Sequence, residues 1–255
     1  MSAYANYWRT IPTLQATREL GPAEDGVSRA RVVDTPAGEF YVKHDAWSAE
    51  TGTQIVANEF LSAAIASSMN VPIPMFAVVV VDGKRCFGCR SVRRSAPFVD
   101  AARLRGCRNF ESLYSLLVFD VWLDNHDRHN GNVIIGQDGG RTVFWAIDHS
   151  HCPFPPRRLP HHLPALHGPE GAGSCIPSWY AREVTSIPLL QRAIDAANTL
   201  SDDEIADIVP GVPGQDWSES GIAQIVDFLV HRRINLRKML DTARFSLSNL
   251  EGGSL

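Results

Sequence analysis

Asp127, Asn132 and Asp148 carry oxygen-bearing side chains at a spacing that suits the handling of a phosphate group. Asp127 opens the stretch Asp127-Arg128-His129-Asn130-Gly131-Asn132, and Asp148 follows in Ala146-Ile147-Asp148-His149. Phosphoryl transfer from a nucleotide needs a carboxylate to orient the acceptor hydroxyl. It also needs an amide oxygen and a carboxylate to hold Mg²⁺. Any one of these residues alone reads as a turn former, because Asp and Asn are common in turns. Together they specify a geometry. Residues 132–136 and 142–147 read as short strands around Gln137-Asp138-Gly139-Gly140, and a β-hairpin brings its two ends together. Asn132 and Asp148 are therefore expected to be neighbours, with Asp127 just after the preceding helix.

The elements that must hold these residues fall into two halves. Residues 27–34 and 39–43 read as strands joined by Thr35-Pro36-Ala37-Gly38, with Arg29 and Arg31 facing one way. Residues 54–69 read as a helix with Ile55, Phe60, Leu61 and Ile65 near one stripe, stopped by the prolines at 72 and 74. Residues 76–82 form an apolar run short enough for a buried strand, Asp82-Gly83 is a hairpin signal, and residues 85–92 return as a strand. The second half changes character. Residues 110–125 predict a helix with Leu113, Leu116, Leu117, Val121 and Leu123 inward. Residues 149–180, rich in Pro, His and Gly, read as a long loop. Ser201-Asp202-Asp203-Glu204 fits a capping box. Residues 222–245 read as an amphipathic helix carrying Val226, Leu229, Ile234 and Leu240. Strands first and helices afterwards predict an α+β fold with a boundary near residues 90–100.

The Asp-Arg-His-Asn-Gly-Asn stretch followed by Ile-Asp-His resembles the catalytic loop and metal-binding motif of the phosphoinositide 3/4-kinases. The chain as a whole is similar to the bacterial HipA-like kinases, which share a protein-kinase-like fold at smaller size. That resemblance implies two lobes, a strand-rich N-lobe over 1–92 and a mainly helical C-lobe over 93–255, with ATP and Mg²⁺ between them. It implies a lysine on an N-lobe strand, here Lys43, paired with an acidic residue on the next helix, here Glu59. It places a phosphate-covering loop at Glu24 to Arg29. That loop has one glycine rather than G-x-G-x-x-G, so backbone amides and Ser28 must do the cradling. It puts a hinge at residues 88–92, with Gly88 and Cys89 beneath adenine, and gives Asn132 and Asp148 to the metal. The base stays open between two residues. The protein-kinase pattern favours Asp127; lipid kinases offer the His of the same motif, here His129.

The family resemblance implies an ATP-dependent phosphotransferase acting on a Ser or Thr of a protein substrate, with room for an antitoxin-type or regulatory partner. It also offers Ser28 as an autophosphorylation site. A lipid or small-molecule kinase is the enzymatic alternative, and a nucleotide-binding pseudokinase or interaction module the non-enzymatic one. The net charge of −4 gives no general pull toward nucleic acid or an anionic membrane. No apolar run reaches membrane-spanning length. The five cysteines, an odd count without an export signal, fit reduced thiols in the cytoplasm. Cys86-Phe87-Gly88-Cys89 has no second C-x-x-C to complete a zinc site, so it reads as two strand cysteines. His126, His129, His149, His151 and Cys152 cluster in sequence and suggest zinc. An H-x-x-H in a loop fixes no ligand geometry, however, so the phosphate chemistry is the stronger expectation for this region. Arg90, Arg93, Arg94, Arg103, Arg105 and Arg108 read as a solvated basic face.

Overall fold

The computed structural model describes residues 6–23, 29–49, 54–95, 99–153, 175–243, 246–247 and 249–250. Its first part is a six-stranded sheet in the order β1-β5-β6-β4-β3-β2. The strands are β1 (Thr13–Gln15), β2 (Arg18–Pro22), β3 (Arg31–Thr35), β4 (Gly38–Lys43), β5 (Phe76–Val81) and β6 (Lys84–Arg90). Asp82 and Gly83 both take positive φ, as a two-residue hairpin turn between β5 and β6 requires. The expected strand from residue 27 begins at Arg31 instead. Arg29 has φ 47°, a left-handed conformation that no extended strand tolerates, and Val27 lies outside the described residues. Strands β1 and β2 were not expected at all.

The two sheet faces do different work. Val42 pairs with Gly88 and Lys43 with Phe87, so alternate residues face opposite sides. Val33, Phe40, Val42, Ala77, Val79 and Cys86 form a small core on one face. Phe87, Val78 and the partly buried Phe76 and Cys89 join the main core on the other. Cys86 and Cys89 thus sit on opposite faces, as two strand cysteines three apart must.

Helix α2 (Ile55–Ser68) packs on the main-core face, where Phe60 meets Phe87 edge-on at 5.0 Å between centroids. The remaining helices are α1 (Tyr7–Thr10), α3 (Ala101–Arg105), α4 (Ser112–Trp122), α5 (Ser178–Ala181), α6 (Ile187–Asn198), α7 (Asp202–Ile208) and α8 (Glu219–Thr242). Both α2 and α4 are buried almost all round rather than along one stripe. That is the mark of a central helix. In α8 the core-facing series is Ile225, Phe228, Leu229, Arg232, Leu236, Met239 and Leu240. Ile234 falls out of that phase and is 65% exposed, contrary to the inward position expected for it. The loop expected over 149–180 is helical at its end, where α5 begins after Pro177; residues 154–174 lie outside the described residues. The capping box at Ser201 and Glu204 forms in full and starts α7.

Strands β7 (Val133–Asp138) and β8 (Arg141–Ala146) make a separate hairpin closed by Gly139 and Gly140, both at positive φ. The chain leaving β6 docks on it: Ser95 N donates to Ile135 O at 2.8 Å. A Cβ on Gly136 would lie 2.7 Å from Arg93 O, so only glycine lets the linker approach. Among the described residues, no helix is long and apolar enough to cross a membrane.

Candidate active site

Helix α4 ends at Trp122, and the chain turns through Asp124 into the loop 125–132. Arg128 shapes that loop. Its guanidinium is fully buried and pairs with Asp120 at 3.0 Å. Its Nη1 donates to Asn132 O at 2.9 Å and Ile147 O at 2.8 Å, one carbonyl at each foot of the β7–β8 hairpin. Ile147 N also donates to Asn132 O at 3.0 Å. These bonds hold residue 132 beside residue 147, and Asp148 follows at φ 57°. Asp120 is completed by Asn125 Nδ2 at 2.6 Å and the Tyr180 hydroxyl at 3.3 Å. A charge pair this deep needs its remaining hydrogen bonds met, and here they are.

Lys43 reaches across from the end of β4. Its Nζ lies 2.6 Å from Glu59 Oε1, 2.6 Å from Asp148 Oδ1 and 2.9 Å from Ser150 Oγ. Ser150 Oγ in turn lies 2.8 Å from Asp148 Oδ1 and 3.0 Å from Glu59 Oε1. Burial alone would lower the Lys43 pKa; the Asp148 and Glu59 carboxylates outweigh it and hold the ammonium well above its ordinary value. Burial would likewise raise both carboxyls, yet the Lys43 charge holds Glu59 down at about 2 and Asp148 well below the usual range. All three groups are therefore ionised at neutral pH. His149 Nδ1 lies 3.6 Å from Glu59 Oε2, on the far side from Lys43.

Asp127 is half-exposed, with Oδ2 3.5 Å from His151 Nδ1. That imidazole lowers the Asp127 pKa, against the opposing effect of partial burial and, to a smaller extent, of nearby Asp148. Asn132 Nδ2 donates to Asp127 O at 2.8 Å, which leaves the amide oxygen as the atom able to accept a cation. His129 is exposed and caps the turn that follows, its Nδ1 accepting from Gly131 N at 3.1 Å. That contact engages the Nδ1 lone pair with a backbone donor.

Lys43, Glu59 and Asp148 thus meet directly, and Asp127 and Asn132 are tied to each other beside them. Gly88 contributes backbone alone. Its missing side chain faces the small core, where a Cβ would lie 2.3 Å from Val79 Cγ2. Cys89 pairs with Tyr41 and shares a sheet face with Lys43; burial pushes its thiol up to about 12, with the Glu59 charge adding to the rise. Ser28 lies outside the described residues. Ser150, Arg128 and Asp120 were missed in the sequence. Asp120 carried a signal, a lone acid in the apolar run Leu116 to Leu123, which implies a buried partner. Ser150 carried none. The histidines and cysteine whose spacing offered zinc as the lesser reading point to different partners: His129 caps a turn, His149 faces Glu59, His151 faces Asp127, and Cys152 Sγ bonds His149 O.

The same architecture occurs in the proinflammatory kinase CtkA of Helicobacter pylori. The TM-score is 0.61 at 15% identity, covering 94% of this chain and 100% of that one. That likeness shows a shared kinase-like α+β fold. HipA of Shewanella oneidensis MR-1, solved in complex with HipB and operator DNA, gives a TM-score of 0.45 at 12% identity over 91% of this chain and 68% of that one. Phosphatidylinositol 4-kinase gamma 2 of Arabidopsis thaliana is 27% identical over 95 residues. That match spans 37% of this chain and 14% of the plant protein's length. No protein-family model matches the chain.

Proposed function

We propose that this protein transfers the γ-phosphoryl group of ATP to a hydroxyl, with Mg²⁺ as the divalent ion. The observation that carries the reading is Lys43, held within 3 Å of Glu59, Asp148 and Ser150 at the end of a sheet strand. A lysine fixed by a helix carboxylate, facing a second carboxylate, is the arrangement that aims an ammonium at the α- and β-phosphates. In this reading Glu59 holds Lys43, Gly88 and Cys89 back the adenine, and Ser28 belongs to the phosphate-covering loop.

The Asn132 amide oxygen and the Asp148 carboxylate are hard oxygen donors at opposite feet of one hairpin, and this donor set suits Mg²⁺. The ion, when bound, neutralises charge on the β- and γ-phosphates. Asp148, bonded to Lys43 in this structure, would be the carboxylate that holds the ion, and Lys43 would face the phosphates. Asp127 orients the acceptor hydroxyl. With its pKa lowered it is a weak base, but a loose transition state asks for a positioned acceptor more than a strong one. His129 is set aside as the base because its Nδ1 is already engaged by Gly131.

The acceptor we favour is a Ser or Thr of a protein, as the resemblance to HipA-like kinases implies, with Ser28 itself as one candidate. An antitoxin-type or regulatory partner belongs to the same reading. The test is a thermal-shift titration with ATP and Mg²⁺, followed by incubation with γ-labelled ATP. We expect stabilisation by the nucleotide with metal, and label transferred to protein or released as phosphate. Asp148→Ala should keep the fold and lose on the order of a thousandfold in rate. Stabilisation with neither transfer nor turnover would make the chain a nucleotide-binding module instead. Label appearing in added phosphoinositide but not in protein would make it a lipid kinase.

A further inference from the structure

Metal-ligating side chains meet at a second place, which the phosphotransfer reading leaves unused. Asp124 sits at φ 56° in the turn after α4, His126 lies two residues on, and Cys175 arrives from the far side of residues 154–174. His126 Nε2 is 3.2 Å from Asp124 Oδ2. Cys175 Sγ is 3.6 Å from Asp124 Oδ1 and 3.8 and 3.9 Å from the two ring nitrogens of His126. One donor atom from each residue lies within 4.8 Å of the others. Zinc bonds of about 2.3 Å to sulfur and about 2.0–2.2 Å to nitrogen and oxygen put neighbouring tetrahedral donors roughly 3.3–3.6 Å apart. The imidazole–carboxylate and thiol–carboxylate separations lie close to that range, each to a different oxygen of Asp124, and the thiol–imidazole separation is slightly longer.

The surroundings favour a fixed carboxylate. Arg232 Nη2 lies 3.0 Å from Asp124 Oδ1 and donates to Val121 O at 2.6 Å, while its Nε donates to Trp122 O at 2.9 Å. One guanidinium thus caps α4 and orients the acid, leaving Oδ2 toward His126. Such outer partners are what hold metal ligands in register.

We propose that Asp124, His126 and Cys175 form a Zn²⁺ site distinct from the proposed Mg²⁺ site. A thiolate and an imidazole select zinc over magnesium. The Cys175 proton passes to solvent as the Zn–S bond forms, and rotation of the half-exposed imidazole turns one nitrogen to the ion. Water takes the fourth position. The same residues do not make a cysteine nucleophile, because Sγ is buried and donates to Asp124 itself. A bound ion ties Cys175 to the root of the loop 125–132, where Asn125 is already bonded to Asp120. The site stands whether or not the chain transfers phosphate.

The test uses the full chain, stripped of metal by chelation and titrated with Co²⁺ alone. The expected result is one Co²⁺ per chain, with a thiolate charge-transfer absorption and the intense visible bands of a tetrahedral site, both displaced by Zn²⁺. Cys175→Ser should lose the charge-transfer absorption, and His126→Gln should weaken binding at least tenfold, each with an unchanged far-UV circular dichroism spectrum. A folded wild-type protein lacking these bands would overturn the proposal, as would a folded Cys175→Ser protein that kept them.

Discussion

Lys43 commits its ammonium hydrogens to Glu59, Asp148 and Ser150, so the lysine is in place before any nucleotide arrives. The pH dependence follows from Glu59. Its folded pKa is depressed, so its contribution to stability is present above the ordinary value of 4.5 and is lost as pH falls toward about 2. The thermal midpoint should fall over that acid window, and Glu59→Gln should flatten the fall. The Lys43 contribution has the opposite sense. It is present below 10.5 and disappears only as pH rises past the raised folded value. The two candidate bases separate cleanly. Asp127→Asn should slow transfer by about 10²–10⁴-fold, the range of a positioned proton acceptor. His129→Gln should stay within about tenfold of wild type and cost about 1 kcal/mol as a weakened turn cap. Residue types and spacing singled out Asp127, Asn132 and Asp148, and the family resemblance added Lys43 and Glu59; Lys43 meets Glu59 and Asp148, and Asn132 bonds the Asp127 backbone. Ser150 was invisible because a serine after Asp-His is equally at home on any loop. Gly88 was singled out for the nucleotide, yet its lack of a side chain answers to Val79 on the opposite face.

At the scale of elements, the loop 125–132 is held by Arg128, which joins Asp120 on α4 to both feet of the hairpin. Arg128→Met should cost about 3–5 kcal/mol in chemical denaturation, because it leaves the Asp120 carboxylate buried without its partner. Helix α2 is similarly anchored. Asn58 Nδ2 donates to Ser150 O at 2.6 Å, Ser62 Oγ donates to Cys152 O at 3.1 Å, and Trp217 Nε1 donates to Gln54 at 2.6 Å. The helix that carries Glu59 is thus bonded to the segment after Asp148 and to the chain just before α8. Apolar periodicity found both central helices, because long apolar runs between breakers leave little choice. It could not tell burial on one stripe from burial all round, since the alanines of α2 fit either. It also misplaced Ile234, whose phase is set by Arg232 taking a core position that hydrophobicity would not assign to arginine.

At the scale of the whole molecule, the N-terminal segment ties the sheet side to the helices. Trp8 packs edge-on to Phe60, donates from Nε1 to Ile208 O at 2.6 Å, and occupies the space a side chain at Gly211 would need. Trp8→Ala should lower stability by about 3 kcal/mol, measured by denaturant midpoint at unchanged slope. The α+β class was legible from strands followed by helices. Strands β1 and β2 were not: β1 is three residues long and pairs in parallel with β5, a long-range contact that leaves no local pattern. The likeness to CtkA across nearly the whole chain gives the kinase fold, and the site within it makes the sharper claim. The most direct measurement is anomalous diffraction from crystals grown with Mn²⁺ and a non-hydrolysable ATP analogue. A manganese peak between the Asn132 amide oxygen and the Asp148 carboxylate, with Lys43 turned onto the α- and β-phosphates, is the predicted result. A triphosphate bound elsewhere, or a metal peak that touches neither side chain, would contradict it.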